Sequence, residues 1–569
     1  MHNFIPSFRR HILLFITVWM LSFSLVTAQT APKGWHLLSP AKDSFFGINL
    51  DKAYTFLKSK DKKSKPVIVA IIDSGVDTTH EDLKGVFWRN PKEIPGNGID
   101  DDGDGYIDDV YGWNFIGGKD GANFKKSGAE NMRVYNRFKE RFFGKPIDTT
   151  LLSKDEKYLY STWLRASNDL NMSNEEQMQV AYLEVTGKAL KRHDKVIREE
   201  MSKEEYTPEQ LEKFEPRTKQ GREAKYGYLT LSKMLGIEPD EKNSSTLSQI
   251  DEYVEGKKEA MEANDKPYHD YRADIIRDDY NNINDKFYGN GDVMGPGPVH
   301  GTHVTGIIAA NRNNGIGMNG VADNVQIMMI RAVPDGDEYD KDIALGIFFA
   351  VDHGAKVINM SFGKYFSPEK KWVDSAIRYA EMKDVLIVHA AGNESTNLDE
   401  KEGFPSPYFL NSGGEASNFI SVGASSDPSI NGSLVADFSN YGKKSVDVFA
   451  PGVKIYSTIP HGNQYSNLQG TSMAAPIVSG VAALIRSYFP DLSAQQVIEA
   501  IEGSVSVPDS TVKVLKPGTK EVVPFSSLSK SGGIVDAGGA VELAYRMQAA
   551  KKSNDKLPKS SFKNINPNQ

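Results

Sequence analysis

Apolar runs alternate with segments of helical periodicity along most of this chain, which predicts strands and helices in alternation. Residues 66–73 (PVIVAIID) form a continuous apolar run, typical of a parallel strand buried on both faces. Other strand-like runs lie at 325–333, 356–360, 384–391, 419–423 and 446–449, and helical patterns lie at 49–58, 341–353, 493–502 and 537–547. We therefore predict an α/β fold with a mostly parallel sheet and helices on both faces.

The most apolar helical pattern begins directly after a glycine-containing turn. Residues 473–484 are small and apolar almost throughout, which predicts a helix buried on all sides. Gly470 and Thr471 permit a tight turn before Ser472, and Pro476 is tolerated in the first helical turn. Ser472 then lies at a helix N-terminus, where backbone N–H groups stabilise negative charge. Two interpretations fit: a nucleophile with an oxyanion site beside it, or an N-cap serine that opens a core helix.

Two further residues lie where α/β proteins carry their chemistry. Asp73 ends the strand 66–73, at the sheet edge where ligands bind; the alternative is an aspartate that opens a turn. His300 lies in HGTHVTGIIAA, with His303 three residues later on a predicted helix. This spacing is open to metal binding, but the chain has no HExxH pattern and no cysteine, so a zinc site is disfavoured.

An acidic loop at 97–109 (NGIDDDGDGYIDD) has the oxygen spacing of a calcium-binding loop. It matches an EF-hand from the first position to the ninth, with carboxylates at Asp100, Asp102, Asp104 and Asp108. The twelfth position is Tyr111 in place of the bidentate glutamate, and Asp109 is a candidate to substitute for it. Because such a group of like charges repels itself without a cation, we expect structural Ca²⁺; the alternative is a solvated acidic loop.

Residues 119–270 differ in character from the rest and predict a helical, charged insertion. Helix-start signals recur there, namely capping boxes at Ser153 with Glu156 and at Ser173 with Glu176, and a cap at Thr207 before Pro208. One apolar stripe has helical spacing, which we interpret as packing within the insertion; it consists of Met178, Tyr182, Val185 and Ala189.

The composition and the two ends of the chain indicate the cellular compartment in which the protein works. A net charge of −8 over 569 residues argues against nucleic-acid binding and against strong attraction to membrane surfaces. Arg9 and Arg10 precede an apolar run at 12–26 and small residues at 26–28, so residues 1–28 predict a signal peptide and export to the periplasm or beyond. The run is short for a membrane span; an uncleaved anchor is the alternative. Residues 29–65 predict a short lead-in, and 550–569 a disordered tail.

Taken together, these motifs resemble those of the subtilisin-like serine peptidases. The matching segments are IIDSGVD around Asp73, HGTHVTG at His300, SFG at 361–363, AAGN ending at Asn393, and GTSMAAP around Ser472; FSNYG at 438–442 and APG at 450–452 agree as well. The resemblance covers roughly 64–118 and 275–545, and it implies a catalytic domain formed by 66–118 and 271–549. It also implies a three-layer α/β/α sandwich.

The resemblance implies a role for each matching residue. Ser472 attacks the peptide carbonyl, His300 transfers the proton, Asp73 orients the imidazole, and Asn393 donates to the oxyanion. His303 does not match the catalytic position and is expected to be structural. The residues that border the substrate pocket are Ser361, Phe362, Gly363, Gly392 and Glu394. The implied activity is that of a secreted endopeptidase acting on proteins or peptides through an acyl-enzyme, without a catalytic cofactor.

Alternatives and departures remain beside this interpretation. A maturation protease with a single partner and a catalytically silent binding protein on the same fold are the other hypotheses. Residues 29–65 are too short for the usual inhibitory prodomain, and the separation between Asp73 and His300 is unusually long. The insertion that fills this separation is expected either to flank the cleft and select substrates or to buttress the far side of the domain.

Overall fold

The computed structural model describes residues 31–170, 174–237, 239, 241–262, 269–508 and 512–555. The predicted signal peptide at 1–28 and the predicted cap at Ser173 therefore lie outside the described residues. A seven-stranded parallel sheet forms the middle layer, with the order β2-β3-β1-β4-β5-β6-β7. Its strands are β1 (Val67–Asp73), β2 (Gly112–Asn114), β3 (Val325–Arg331), β4 (Val357–Met360), β5 (Leu386–Ala390), β6 (Phe419–Ser425) and β7 (Val448–Pro451).

The sequence predicted six of these seven strands but missed β2 and two antiparallel hairpins. The hairpins join β8 (Ile455–Ile459) to β9 (Gln464–Leu468) and β10 (Lys513–Leu515) to β11 (Val522–Pro524). Strand β2 is only three residues long, and β9 is largely polar, so neither produces a clear apolar pattern.

The helices of the catalytic part flank the sheet. In chain order, the described helices before residue 299 are α1 (Pro40–Asp43), α2 (Leu50–Ser59), α3 (Glu130–Phe142), α4 (Lys154–Asp169), α5 (Asn174–Met201), α6 (Pro208–Lys213), α7 (Lys219–Leu235), α8 (Asn243–Glu262) and α9 (Tyr271–Ile275). The later helices are α10 (Val299–Ala309), α11 (Asp340–Asp352), α12 (Lys370–Met382), α13 (Pro428–Asn431), α14 (Thr471–Tyr488), α15 (Ala494–Glu502) and α16 (Ala537–Asp555). Among these described helices, none combines the length and the apolar composition that a membrane span requires.

Side chains of β1 alternate between two apolar cores, as the run of apolar residues predicts. Val69 and Ile71 pack with residues of α10, α14, α15 and α16, whereas Ala70 and Ile72 pack with residues of α11 and α12. The three-layer α/β/α sandwich is therefore confirmed. Strand β1 pairs with β3 on one side and β4 on the other, so the strand order reverses around Asp73, where α/β folds form their binding crevice.

Both ends of the described chain pack on the main core. Trp35 and Ile48 of the lead-in are fully buried in the main core, and the Trp35 indole N–H donates to the Val453 carbonyl at 3.1 Å. Helix α2, which was predicted, packs on α16. Helix α16 continues to Asp555, so the prediction of disorder from Ala550 is wrong for its first residues; 556–569 lie outside the described residues.

The insertion consists of two helical parts with separate cores. Helices α3 and α4 pack on each other, whereas α5 to α8 enclose a second small core that includes Leu190 and Tyr228. The capping box at Ser153 and the cap at Thr207 are confirmed. The interpretation of the apolar stripe is wrong for three of its residues, because 67%, 48% and 66% of Met178, Tyr182 and Val185, respectively, is exposed.

Candidate active site

The end of β1 and the start of α10 bring Asp73 and His300 together. The imidazole Nδ1 of His300 lies 2.8 Å from Oδ1 and 3.0 Å from Oδ2 of Asp73. The Asp73 side chain is only 2% exposed, whereas that of His300 is 38% exposed. Burial opposes the imidazolium, but the charge and hydrogen bond of Asp73 outweigh it and raise the pKa of His300 above its ordinary value. The arrangement is a partly open imidazole held by a buried carboxylate.

Two glycines permit this close approach of helix and strand. A Cβ at Gly301 would lie 2.2 Å from the carbonyl oxygen of Gly75 and 3.2 Å from Oδ1 of Asp73. Gly75 itself has φ +130, and a Cβ there would lie 2.1 Å from the carbonyl oxygen of Met294. Gly301 is therefore required for His300 to lie close enough to bond Asp73.

Ser472 is the second residue of α14 and lies at the carboxyl edge of the neighbouring strand β4. Its hydroxyl donates to the Ser361 carbonyl at 2.9 Å, and the Ser361 hydroxyl donates to the Ser472 carbonyl at 3.0 Å. The Asn359 amide donates to the Ser361 hydroxyl at 2.9 Å, and Ser479 donates to Asn359 at 2.8 Å. This chain of hydrogen bonds fixes Ser472 beside the strand next to β1. In this structure its hydroxyl is hydrogen-bonded to Ser361 and not to His300.

Asn393, three residues beyond β5, is oriented by the residue before Ser472. The backbone N–H and the hydroxyl of Thr471 donate to Asn393 Oδ1 at 2.9 and 3.1 Å, and the Gly392 N–H donates to the Thr471 hydroxyl at 3.0 Å. Because the amide oxygen is engaged, the NH₂ group is left to donate. Together with the Ser472 N–H, which lies in the first helical turn, it can stabilise an oxyanion.

The predicted pocket residues lie on two segments that follow β4 and β5. Residues 361–363 run into an antiparallel bridge in which Lys364 and Phe404 exchange backbone hydrogen bonds of 3.0 and 2.8 Å. Gly392 has φ +102, and a Cβ there would lie 2.7 Å from Oε2 of Glu394. Phe362 is half-buried, and Gly363 and Glu394 are exposed. The two segments, called here the two walls, contact the turn that carries Ser472 through Ser361 and Gly392.

His303 lies apart from this chemistry. It is buried, its Nε2 is 3.1 Å from the Ser466 carbonyl, and burial lowers its pKa to about 3. A neutral, buried ring fits the structural role that the resemblance implies.

The acidic loop brings together a set of candidate metal ligands that differs from the predicted set. Oxygen or nitrogen atoms within 4.8 Å of one another belong to two groups: Glu93 with Asp100 and Asp102, and Asp102 with Asp104 and His353. Asp108 belongs to neither group, and its two carboxylate oxygens accept the backbone N–H groups of Gly96 and Gly98 at 2.7 and 2.9 Å. Glu93 and His353 were missed because no sequence spacing links them to the loop.

The buried carboxylate of Asp109, which lies beside these groups, bears on whether the loop can hold a cation. Asp109 has no exposed surface, and its Oδ1 accepts from Asn90 at 2.7 Å. Its Oδ2 has no hydrogen-bond donor among the described residues; His353 Nε2 lies 3.4 Å away. Burial raises the pKa of Asp109 to about 8, and the charges of Asp104, Asp102 and Glu93 add to the effect. The orphaned buried oxygen and the carboxylates nearby fit a hard cation such as Ca²⁺, whereas the His353 nitrogen is not a ligand type that Ca²⁺ prefers.

Comparisons with known proteins agree with the motifs. The model of the Subtilase family of peptidases matches residues 64–520. A thermophilic serine proteinase of Bacillus sp. (strain AK1) is 42% identical over 33% of this chain and 42% of its own length. Subtilisin DY of Bacillus licheniformis is 41% identical over 35% of this chain and 68% of its own, and thermitase of Thermoactinomyces vulgaris is 39% identical over 38% and 71%. The chain thus spans less than half of the first relative's length.

Proposed function

Since the chain belongs to the subtilase family, we propose that it is a subtilisin-type serine endopeptidase that uses Asp73, His300 and Ser472. The observation that carries the proposal is the contact of 2.8 Å between the buried Asp73 and His300, at the sheet edge from which the Ser472 helix begins. We propose further that residues 1–28 direct export and that proteins or peptides outside the cytoplasm are its substrates.

In the proposed reaction, substrate binding moves the Ser472 hydroxyl from the Ser361 carbonyl to Nε2 of His300. Ser472 Oγ then attacks the peptide carbonyl while His300 accepts its proton, and Asp73 stabilises the imidazolium through Nδ1–H. The Asn393 amide and the Ser472 N–H hold the oxyanion. His300 next protonates the leaving amine, and water hydrolyses the acyl-enzyme by the reverse proton path.

The pocket for the residue before the scissile bond is proposed to be broad. Gly363 and Gly392 leave room between the walls, and Phe362 supplies an apolar surface. Medium to large apolar side chains are therefore the expected preference. A peptide library cleaved only after aspartate or glutamate would contradict it.

Covalent labelling tests the central proposal. A fluorophosphonate should label the native protein at Ser472 and should label neither heat-denatured protein nor Ser472→Ala. In Ser472→Ala, kcat for casein hydrolysis should fall by a factor of about 10⁶, which is the loss that removal of the nucleophilic serine causes in subtilisin. Casein hydrolysis by purified Ser472→Ala near the wild-type rate would refute the assignment.

We also propose that the acidic loop holds one structural Ca²⁺. Asp100, Asp102 and Asp104 are retained from the sequence prediction and Glu93 joins them. Asp109 stays a candidate because its buried Oδ2 has no donor among the described residues, and Asp108 is dropped. The ion would supply positive charge that offsets carboxylate repulsion, and it has no part in the peptidase reaction.

A further inference from the structure

The insertion begins on residues 335–340, a segment that leads into α11 and that we call the α3 platform. The Ser127 N–H donates to the Asp335 carbonyl at 2.8 Å, and the Ser127 hydroxyl donates to the Asp337 carbonyl at 2.7 Å. The N–H of Glu130, the first residue of α3, donates to Asp337 Oδ2 at 2.7 Å. Because a carboxylate of the platform satisfies an otherwise unpaired helix N–H, the start of α3 is anchored there.

The platform also holds the segment that follows Gly363. The Glu338 carbonyl accepts from Arg133 Nη2 of α3 at 2.8 Å and from the Lys364 ammonium at 2.7 Å. Lys364 is buried and also contacts Glu130 Oε2 at 2.9 Å. One residue of the platform therefore joins α3 to the end of a pocket wall.

Helix α4 fixes the next residues of the same segment. The Arg165 guanidinium donates to the Tyr365 carbonyl at 2.7 Å, and the Tyr158 hydroxyl donates to the Ser367 carbonyl at 2.9 Å. Phe366 is buried in the α3–α4 core. A shift of α3 and α4 on the platform must therefore move the segment that continues from the wall.

The side chain of Glu338 lies in this joint with too little positive charge around it. Glu338 is only 2% exposed, and its Oε1 has no hydrogen-bond donor among the described residues. Four carboxylates face two cations in this cluster, namely Glu130, Asp337, Glu338 and Asp340 against Arg133 and Lys364. An ionised Glu338 is consequently a buried charge without full compensation, whereas the neutral acid is not.

The protonation equilibrium of Glu338 follows from these surroundings. Burial raises the pKa of Glu338 from 4.5 to about 7; the charge of Lys364 opposes the shift, and the charges of Asp337 and Asp340 add to it. Because this pKa is higher in the folded protein than in the unfolded chain, the stabilisation that it brings is complete below pH 4.5 and is lost as the pH rises through about 7. The joint is therefore most stable in acid.

We propose that Glu338 is a pH-sensitive element of the joint, which holds α3 tightly against the pocket wall when it is protonated and loosens this contact when it is ionised. The inference deepens the proposed peptidase function, on which it rests, by naming how substrate entry is regulated. Large substrates should gain most from loosening, because only they extend beyond the cleft to the helices of the insertion.

Hydrogen exchange in the full chain, at saturating calcium, tests the joint without reference to activity. After correction for the intrinsic effect of pH, amides of α3 in the wild type should exchange about tenfold faster at pH 8.5 than at pH 6, since a detached Glu338 regains its ordinary pKa. Glu338→Gln, which is neutral and of similar size, should remove this difference. Glu338→Leu is a second neutral variant, in case the new amide disturbs the platform. Glu140→Gln, on the exposed side of α3, is the matched control and should behave as the wild type does.

Substrate rates test the regulation. We compare kcat/KM for a small chromogenic peptide and for a folded protein that is stable at both pH values. The peptide is the internal reference, because titration of His300 affects both substrates alike. The protein-to-peptide ratio should rise severalfold from pH 6 to pH 8.5 in the wild type and in Glu140→Gln, and it should stay constant in Glu338→Gln.

The outcomes separate the inference from the function on which it rests. Equal corrected exchange of α3 at the two pH values in the wild type overturns the inference, and so does the same pH dependence in both neutral variants. A ratio that does not follow the exchange of α3 overturns the regulatory role. Absence of both peptide cleavage and fluorophosphonate labelling in the wild type would instead refute the proposed function, whatever the exchange data show.

Discussion

Asn393 illustrates how one side chain depends on its neighbour for its orientation. Thr471 engages the amide oxygen with two donors, so only the NH₂ group can face an oxyanion. Asn393→Leu should lower kcat by ~10²–10³ with little change in KM, a magnitude taken from the equivalent loss in subtilisin. Thr471→Val should give a smaller loss, because the backbone donor remains. Asn431→Leu, at an exposed position on α13, is the control; equal kcat in Asn393→Leu and wild type would remove Asn393 from the oxyanion site.

The chemistry-bearing residues divide into those the sequence could predict and those it could not. Asp73, His300 and Ser472 each sit at the end of a strand or the start of a helix, so a local motif marks them. Partners that come together only through folding carry no such mark. These are Tyr365 and Asn440 beside Glu394, and Glu93 and His353 beside the acidic loop. Spacing alone indicates Asp108, whereas the folded loop leaves it outside both groups of ligand candidates.

At the scale of helices and strands, the close packing of α10 on β1 determines the position of His300. Gly301→Ala introduces a Cβ 2.2 Å from a backbone oxygen, so the helix must shift. We expect the free energy of unfolding to fall by about 1–3 kcal/mol and kcat/KM to fall as His300 moves away from Asp73. Gly354→Ala would not be a fair control because of its positive φ, whereas Gly297→Ala has only one atom at 3.8 Å and is suitable. Full activity in Gly301→Ala would mean that the fit of α10 is not limiting.

The contact of α3 with the catalytic part depends on a buried ion-pair cluster. Burial raises the pKa of Glu130, but Arg133 and Lys364 outweigh it and lower the pKa. Glu130→Ala leaves both cations short of a partner, and we expect the free energy of unfolding to fall by about 3–5 kcal/mol in denaturant titrations. Glu140→Ala, on the exposed side of the same helix, should cost less than about 0.5 kcal/mol. Equal stability of the two variants would show that Glu130 does not anchor α3.

Helical periodicity identifies an apolar face but does not say whether anything covers it. The stripe at Met178, Tyr182 and Val185 has the predicted spacing and is exposed, whereas the buried face of α5 includes Val180 and Leu190. Similarly, the sequence predicted an insertion without fixing its position. Its α3–α4 part packs beside the pocket wall, which supports the hypothesis that the insertion influences substrate entry.

Removing α5 to α8 tests whether this second part of the insertion also influences substrate entry, and it keeps the α3–α4 contacts. Replacement of residues 171–268 by a Gly/Ser linker keeps Glu130, Arg165 and their partners. We expect unchanged kcat/KM on a small chromogenic peptide and an altered rate on a folded protein, because only a large substrate extends beyond the cleft. If shortening changes the rates on the two substrates by the same factor, the removed helices have only a stabilising role.

For the protein as a whole, the acidic loop should make stability depend on calcium. A ligand that binds only the folded state raises the free energy of unfolding by about 2.7 kcal/mol at one hundred times its Kd. EDTA should therefore lower the melting temperature of the wild type, and Asp102→Asn with Asp104→Asn should abolish this response. Asp51→Asn, at an exposed carboxylate, controls for charge. An undiminished EDTA effect in the double variant would locate the ion elsewhere.

Buried histidines should make the fold sensitive to acid. Burial lowers the pKa of His36 and His303 to about 3 and that of His389 to about 4. Between these values and the unfolded value near 6.5, the unfolded chain binds more protons, so stability falls as the pH falls through this window. His36→Leu should reduce the loss between pH 7 and pH 4.5 by ~2.5 kcal/mol, measured by denaturant titration at saturating calcium. An identical loss in variant and wild type would rule out His36 as a contributor.

The order of strands across the sheet has a consequence for the timing of synthesis. The strand that carries Asp73 is made early, yet both of its neighbours, β3 and β4, follow the insertion, and α14, which carries Ser472, comes later still. Contacts so distant along the chain form slowly and only after the intervening residues exist. During translation the order of the chain alone therefore keeps Asp73, His300 and Ser472 apart. Peptidase activity should first arise only when the segment containing Ser472 has left the ribosome.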